Sequence, residues 1–385
     1  MEKQGNNETH LPYFGRFKKK KGRIVQEEEK SWHKEERENI YDYTSVEKEE
    51  EGESKENYQF SEPEVYGDVL DVIRTTQKVA RRLIDEVKTA VLGKGKVLEL
   101  VCAGLLSNGN ILFEDFPGLA KTLIARCFSK AIGCGYKRVQ FTPDLLPADI
   151  TGTYVFNRKN SEFEFKKGPV FTNILLADEI NRAPPKTQAA LLEAMEEKQV
   201  TVEGVTHILP KPFHVIATQN PIEYEGTYPL PEAQLDRFLM KLEVGYPDAN
   251  TEISILNHRR LRAKDEFDIK PVTNPQEFTQ MQKNIEKVFI DDSLITYIVS
   301  IVRETRRHPD VKIGASPRGA LAMFKLSRAM AALQGRDYVI PDDIKKIVVP
   351  ALEHRLILKP EPRIKGIRAR DVIIEIVENV PVPLA

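Results

Sequence analysis

Ile111-Leu-Phe-Glu-Asp-Phe-Pro-Gly-Leu-Ala-Lys-Thr122 opens with three apolar residues, turns at Pro117-Gly118 and runs into an apolar helical pattern from Thr122 to Ala131. Strand, tight turn and helix in that order make a phosphate cradle, because the first amides of the helix and its dipole both favour negative charge. Lys121 is spaced to reach the β- and γ-phosphates of a nucleoside triphosphate, and the Thr122 hydroxyl to ligate magnesium. Against the pattern GxxxxGK[ST], Asp115 and Ala120 stand where glycines are expected. Pro117-Gly118 still supplies the turn, and alanine at the second glycine adds one methyl group. On this loop alone, a strand, turn and helix that bind nothing remain an alternative.

A second stretch narrows the reading. Asn173-Ile-Leu-Leu-Ala-Asp-Glu179 is an apolar strand ending in two adjacent carboxylates. Paired acids at the tip of a buried strand are costly unless a cation or a reaction uses them. Asp178 is suited to hold magnesium, directly or through water, and Glu179, on the opposite side of the strand tip, to polarise an attacking water.

Outward from these two segments, further strands are expected at Lys137 to Phe141 and Phe213 to Thr218, with helices at Val97 to Leu106 and Lys186 to Glu197. Strand alternating with helix predicts an α/β fold with a parallel sheet covered on both faces. After Tyr246-Pro247-Asp248 no further strand is expected. The remaining sequence reads as helices at Ala249 to Ala263, Ser293 to Arg306, Pro317 to Leu333 and Pro341 to Arg355. The expected organisation is an α/β nucleotide-binding domain over residues 71–246 and a helical lid over 247–385. Residues 1–70 read as a disordered, charged tail, with a basic knot at Arg16 to Arg23, an acidic stretch at Glu47 to Glu56 and the only tryptophan, Trp32. The basic knot reads first as a solvated charge run.

With 57 basic and 58 acidic side chains in 385 residues, no global field draws the chain toward nucleic acid or an anionic membrane. Cys102, Cys127 and Cys134 are odd in number and lack CxxC spacing, which suggests free thiols. No apolar run of signal-peptide length opens the chain, and none reaches the roughly 18 residues of a membrane span. These features lead to the expectation of a cytoplasmic protein.

Four strings, taken with their order and spacing, carry a resemblance: Glu114 to Thr122, Arg138 to Gly152 (RVQFTPDLLPADITG), Asp178 to Gln188 (DEINRAPPKTQ) and Ala217 to Pro221 (ATQNP). Together they resemble the MoxR branch of the AAA+ ATPases over most of the chain beyond residue 80. The resemblance implies an AAA+ P-loop NTPase core with a C-terminal all-helical lid. It also implies ATP and Mg2+ as ligands, self-association into a ring, commonly a hexamer, and protein clients or partners carrying a von Willebrand A domain. Residues Asp115, Phe116, Pro117, Gly118, Leu119, Ala120, Lys121 and Thr122 would then hold the nucleotide, and Thr122 and Asp178 the metal. Asn220 matches the sensor-1 position, although alone it reads as an Asn-Pro turn. Arg237, in Leu230-Pro-Glu-Ala-Gln-Leu-Asp-Arg-Phe238, matches an arginine finger reaching the neighbouring subunit's nucleotide. Arg318, in Ser316-Pro-Arg-Gly319, matches the sensor-2 arginine expected to fold the lid onto the nucleotide of its own chain.

Two β-hairpins complete the expectation. One lies near 153–166 around the turn Arg158 to Ser161 and resembles the helix-2 insert, and one near 199–209 around Glu203-Gly204 resembles the pre-sensor-1 hairpin. Such inserts usually face a pore or partner, against the plainer reading of structural decoration. The implied function is magnesium-dependent ATP hydrolysis that drives chaperone-like remodelling of partner proteins. A magnesium-chelatase-like or nucleic-acid motor subunit, and a nucleotide-gated scaffold that does not hydrolyse, are the alternatives. The near-neutral charge and lack of an aromatic-basic strip argue against a nucleic-acid motor.

Overall fold

The computed structural model describes residues 66–220 and 227–383; of the tail expected over residues 1–70, residues 1–65 lie outside them. The chain enters through two helices, α1 (Tyr66–Lys88) and α2 (Gly95–Leu106), so α1 begins ahead of the boundary expected near residue 70. Next come β1 (Ile111–Glu114), α3 (Lys121–Ile132), β2 (Tyr136–Gln140), the short α4 (Pro147–Thr151) and the hairpin β3 (Gly152–Asn157) with β4 (Glu162–Lys167). These lead into β5 (Ile174–Asp178), α5 (Pro185–Glu197) and a second hairpin, β6 (Gln199–Val202) with β7 (Val205–Ile208). Strand β8 (His214–Gln219), one turn of helix α6 (Glu232–Leu235) and β9 (Met240–Leu242) close the sheet. The lid holds α7 (Ala249–Arg262), α8 (Pro275–Ile285), α9 (Asp292–Arg307), β10 (Val311–Ile313), α10 (Pro317–Leu333), α11 (Pro341–Leu352), β11 (Ile357–Leu358), α12 (Pro360–Ile364) and α13 (Ala369–Asn379).

The main sheet has the order β2-β5-β8-β1-β9, parallel throughout. Its central strands are continuously apolar because both faces are covered. In β5, Ile174 and Leu176 face one core with α1, α2, α3 and the lid helices, and Leu175 and Ala177 face the other with α4 and α5. In β8, Ile216 joins the first core, and Val215 and Ala217 the second. The strand period of two divides each apolar run between two cores.

Lid helices begin where side chains cap them. Asp248, Asn274, Asp291 and Ser316 accept backbone N–H groups at the starts of α7, α8, α9 and α10, and proline opens α8, α10 and α11. Helix α10 packs on α1 and α2, so lid and sheet share one continuous apolar core. The expectation that strands end at residue 246 fails at one place. Val311–Ile313 pairs antiparallel with Ile357–Leu358, a bridge too short to leave a periodic signal. Strand β9 was likewise not expected, because Met240-Lys241-Leu242 is short and carries a charge at its centre.

His214 ties sheet to lid. It is fully buried, its Nδ1 lies 3.0 Å from the Gly109 carbonyl and its Nε2 lies 3.0 Å from Gln282 Nε2 of α8. A carbonyl only accepts, so Nδ1 donates and Nε2 accepts from the amide, which makes the ring neutral. Burial, assisted by Lys198, pushes its pKa down to about 3. An unfolded histidine titrates near 6.5, so the unfolded chain binds a proton that the folded chain refuses. The contribution is complete above that value and declines as pH falls toward about 3. Urea melts across that window are expected to lose stability with falling pH, and a His214→Gln variant should show a shallower slope.

Candidate functional site

The C-terminal ends of β1, β5 and β8 lie side by side, because parallel pairing sets Glu114 opposite Gln219 and Ala177 opposite Ala217. A cleft at this edge is lined by Pro117 to Leu123, Arg138, Asp178, Glu179, Thr218, Gln219 and Asn220, with a volume of about 380 Å3. Six of the eight expected loop residues, Pro117 to Thr122, together with Asp178, Glu179 and Asn220, therefore meet here.

The loop owes its shape to two residues with positive φ. Gly118 has φ 83°, with open space where a Cβ would stand. Ala120 has φ 60°, which explains why the general pattern prefers glycine there and identifies a local strain of about 1–2 kcal/mol. Helix α3 has no side-chain cap, and the first N–H groups of a helix have no partner within it. Lys121 is buried, and its ammonium donates to the carbonyls of Asp115 and of Phe116, the latter at 2.9 Å. Burial lowers its pKa, while the charges of Asp115, Asp178 and Glu179 oppose that shift.

Asp178 and Glu179 have separate supports. The Asp178 carboxylate accepts from Arg138 Nε at 2.9 Å and Nη2 at 2.6 Å, and from the Thr218 hydroxyl at 2.5 Å. Thr218 Oγ1 also accepts the Glu179 N–H at 2.9 Å, so one hydroxyl fixes both acidic residues. Glu179 has φ 56°, an uncommon conformation that turns its side chain away from the strand line. Its carboxylate accepts from Gln140 Nε2 at 2.7 Å and pairs with Arg182 at 3.2 Å. Arg138, Gln140, Thr218 and Arg182 were not singled out from sequence. The available signal was register: Gln140 lies opposite Asp178 on β2.

Asp115 and Phe116, expected among the phosphate-binding residues, do not line the cleft. The Asp115 carboxylate turns inward to the amides of Val244 and Gly245, and the Phe116 N–H donates to Asp115 Oδ1.

Arg237 and Arg318 stand apart from the phosphate loop of their own chain. They lie together in a second cleft of about 410 Å3 that shares no lining residue with the first. Both guanidinium groups pair with Glu196, Arg237 through Nε at 3.2 Å. Lid residues fasten this corner. Ser316 Oγ donates to Asp236 at 2.8 Å and Arg355 Nε to the same carboxylate at 2.6 Å. Arg318 therefore does not fold over the phosphate loop of its own chain, because α10 is fixed beside Arg237 instead. Lys198 and Lys325 line the same cleft and make it cationic.

Both hairpins form as expected. Glu203 and Gly204 have φ 49° and 81°, as a two-residue turn between twisted strands requires. His207 of the second hairpin stacks on Phe165 of the first, with ring centroids 4.0 Å apart. Among the described residues, no helix is long and apolar enough to cross a membrane.

A parallel 2-5-8-1-9 sheet with a phosphate loop after its fourth-ranked strand, an acidic strand tip beside it and a helical lid define a P-loop nucleotide-binding protein. Residues 110–240 match the family model described as "ATPase family associated with various cellular activities (AAA)", and residues 303–376 match the AAA lid domain. The chain is 50% identical over 303 residues to the Bacillus subtilis protein YeaC, described as uncharacterized, covering 79% of this chain and 94% of that one. It is 42% identical over 311 residues to "Chaperone MoxR1" of Mycobacterium tuberculosis, covering 78% and 82%. A crystal structure of a candidate ATPase from Cytophaga hutchinsonii superimposes with a TM-score of 0.77 at 40% identity, covering 82% of this chain and 98% of that one. The chain belongs to the MoxR family of AAA+ ATPases.

Thr218 offers a direct test of the site's geometry. Thr218→Val keeps the shape but leaves the Glu179 N–H and one Asp178 oxygen without the hydroxyl, and should destabilise the protein by about 1–3 kcal/mol. Chemical denaturation measures the loss, and Thr218→Ser should recover most of it.

Proposed function

We propose that this chain hydrolyses ATP with magnesium, that the reaction is completed by a neighbouring copy in a ring, and that the resulting motion remodels partner proteins. The observation that carries the reading is the division of charge between two clefts. The phosphate cradle, Asp178, Glu179 and Asn220 line one, and Arg237 and Arg318 line another that shares no residue with it.

In this reading the amides from Pro117 to Thr122 and the Lys121 ammonium hold the phosphates. Lys121 leaves the carbonyls of Asp115 and Phe116 for phosphate oxygens. A hydroxyl and a carboxylate lining one cleft are hard oxygen donors that fit magnesium, so Thr122 and Asp178 would hold it. Bound there, the ion neutralises charge on the phosphates. Arg138 and Thr218 orient the Asp178 carboxylate. Glu179 accepts a proton from, or polarises, the attacking water, and Asn220 orients that water. Gln140 and Arg182 restrain the Glu179 carboxylate until the water is in place.

Arg237 and Arg318 of one copy act on the nucleotide of the next, where a guanidinium stabilises charge developing in the transition state. Glu196 holds the pair together in the free cleft. The name of the Mycobacterium tuberculosis relative, a chaperone, supports client remodelling, and the two hairpins joined at His207 supply an exposed apolar surface at Val155, Phe156, Phe163 and Ile208. A hexameric ring, partners bearing a von Willebrand A domain and a cytoplasmic setting complete the proposal.

Substitution separates the roles. Lys121→Ala should abolish ATP binding in an equilibrium fluorescence titration, whereas Glu179→Gln should bind ATP without turning it over. Arg237→Ala should retain affinity and lose turnover by about 10³-fold or more, as arginine fingers do. Mixing Arg237→Ala with Glu179→Gln subunits should restore part of the activity. No recovery at any ratio would contradict a site shared between copies.

A further inference from the structure

Residue 115 is aspartate where the phosphate-loop pattern has glycine, and its carboxylate has a different occupation. It is 7% exposed and uses both oxygens on backbone amides. Oδ1 accepts the Phe116 N–H at 2.8 Å, and Oδ2 accepts the N–H groups of Val244 at 2.8 Å and Gly245 at 2.6 Å. Val244 and Gly245 lie in the short link between β9 and α7, the covalent path from the sheet to the lid. Glycine at 115 would leave those two amides without an acceptor in a buried place.

The link is held from other directions too. Lys94, at the start of α2, donates to the carbonyls of Gly245 at 2.8 Å and Tyr246 at 3.0 Å. The rings of Phe116 and Tyr246 lie 6.1 Å apart. Gly245 itself has φ 68°, a conformation that lets the chain turn here with little strain. On the opposite side of the same peptide, Lys121 donates to the carbonyls of Asp115 and Phe116. The backbone of residue 115 thus meets the lysine that phosphate would recruit, and its side chain meets the lid's connection.

We infer that Asp115 is a positioning residue that couples phosphate-loop occupancy to the lid through the amides of Val244 and Gly245. The inference rests on the proposed ATP-binding role of Lys121. When Lys121 turns to a phosphate, two carbonyls lose their donor and the Asp115-Phe116 peptide is freed. The charge-assisted bonds from the Asp115 carboxylate move with that peptide and carry the link with them. Lid orientation sets where Arg318 stands relative to Arg237, since Ser316 and Arg355 join the lid to Asp236. Occupancy of one cleft is in this way communicated to the arginines of the other.

The test uses the full-length protein and its Asp115→Asn variant, because asparagine keeps the volume but can accept through only one oxygen. Hydrogen exchange at Val244 and Gly245 is followed with and without ADP and magnesium, alongside nucleotide affinity and turnover. The wild type should show nucleotide-dependent exchange at these amides. Asp115→Asn should exchange them rapidly in both states, keep its affinity within a few-fold and lose turnover by about tenfold, a split between binding and rate. Preserved nucleotide-dependent exchange and normal turnover in Asp115→Asn would overturn the coupling and leave the ATPase reading standing. Equal loss of affinity and turnover would also overturn it, by making Asp115 a phosphate-loop residue. A wild type that binds no nucleotide would overturn both. Lys94→Met, which loosens the link without altering the loop, carries the same expectation and the same refutation should Asp115→Asn fail to fold.

Discussion

The Thr218 hydroxyl, donating a hydrogen bond to Asp178 and accepting one from the Glu179 N–H, is the contact on which the rest of the site depends. It exists because β8 pairs in parallel with β5 in a register that brings both strand ends to one level. Parallel pairing with β1 on the other side brings the phosphate loop to that same edge. Two carboxylates at a strand tip repel one another and resist burial. Here the hydroxyl, Arg138, Gln140 and Arg182 each take a share of the negative charge, so the acids are held apart and oriented. Two apolar cores, one on each face of the sheet, make the register rigid by dividing alternate strand residues between them.

The same rigidity makes the separation of the two clefts meaningful. Asp236 is gripped by Ser316 and Arg355, Phe238 O accepts from His354 and Arg355, and the neighbouring Arg237 and Arg318 share Glu196. These contacts, with helix α10 against α1 and α2, dock the lid so that its Arg318 stands beside Arg237 of the sheet domain. In the proposed ring, cations at one corner of a copy would meet the phosphate cradle of the next. Closed rings follow from head-to-tail contacts of this kind when the rotation between copies closes.

Most of the sheet was legible in the sequence because strands covered on both faces are continuously apolar. Ile111 to Phe113 and Asn173 to Ala177 could be read as strands without any knowledge of their partners. Strand β9 escaped because three residues with a central lysine carry no period. Lys121, Thr122, Asp178 and Glu179 were legible because each adjoins a strand end within one local string. Arg138, Gln140 and Thr218 were not, since their roles arise from pairing between strands distant in the chain. The bonds of the Asp115 carboxylate were not legible for a related reason: the amides it serves lie about 130 residues further on, and only folding brings them to it. The place of Arg318 beside Arg237 was not legible either, because local sequence contains no information on where the lid docks.

The shared-site account is tested most directly by phosphate release from ATP measured against protein concentration, with magnesium and then with excess chelator. The account predicts magnesium-dependent turnover whose rate per chain rises with concentration and then levels as the assembly fills. A rate per chain that stays constant down to dilutions where the protein is monomeric would contradict it, since one chain would then hold a complete site.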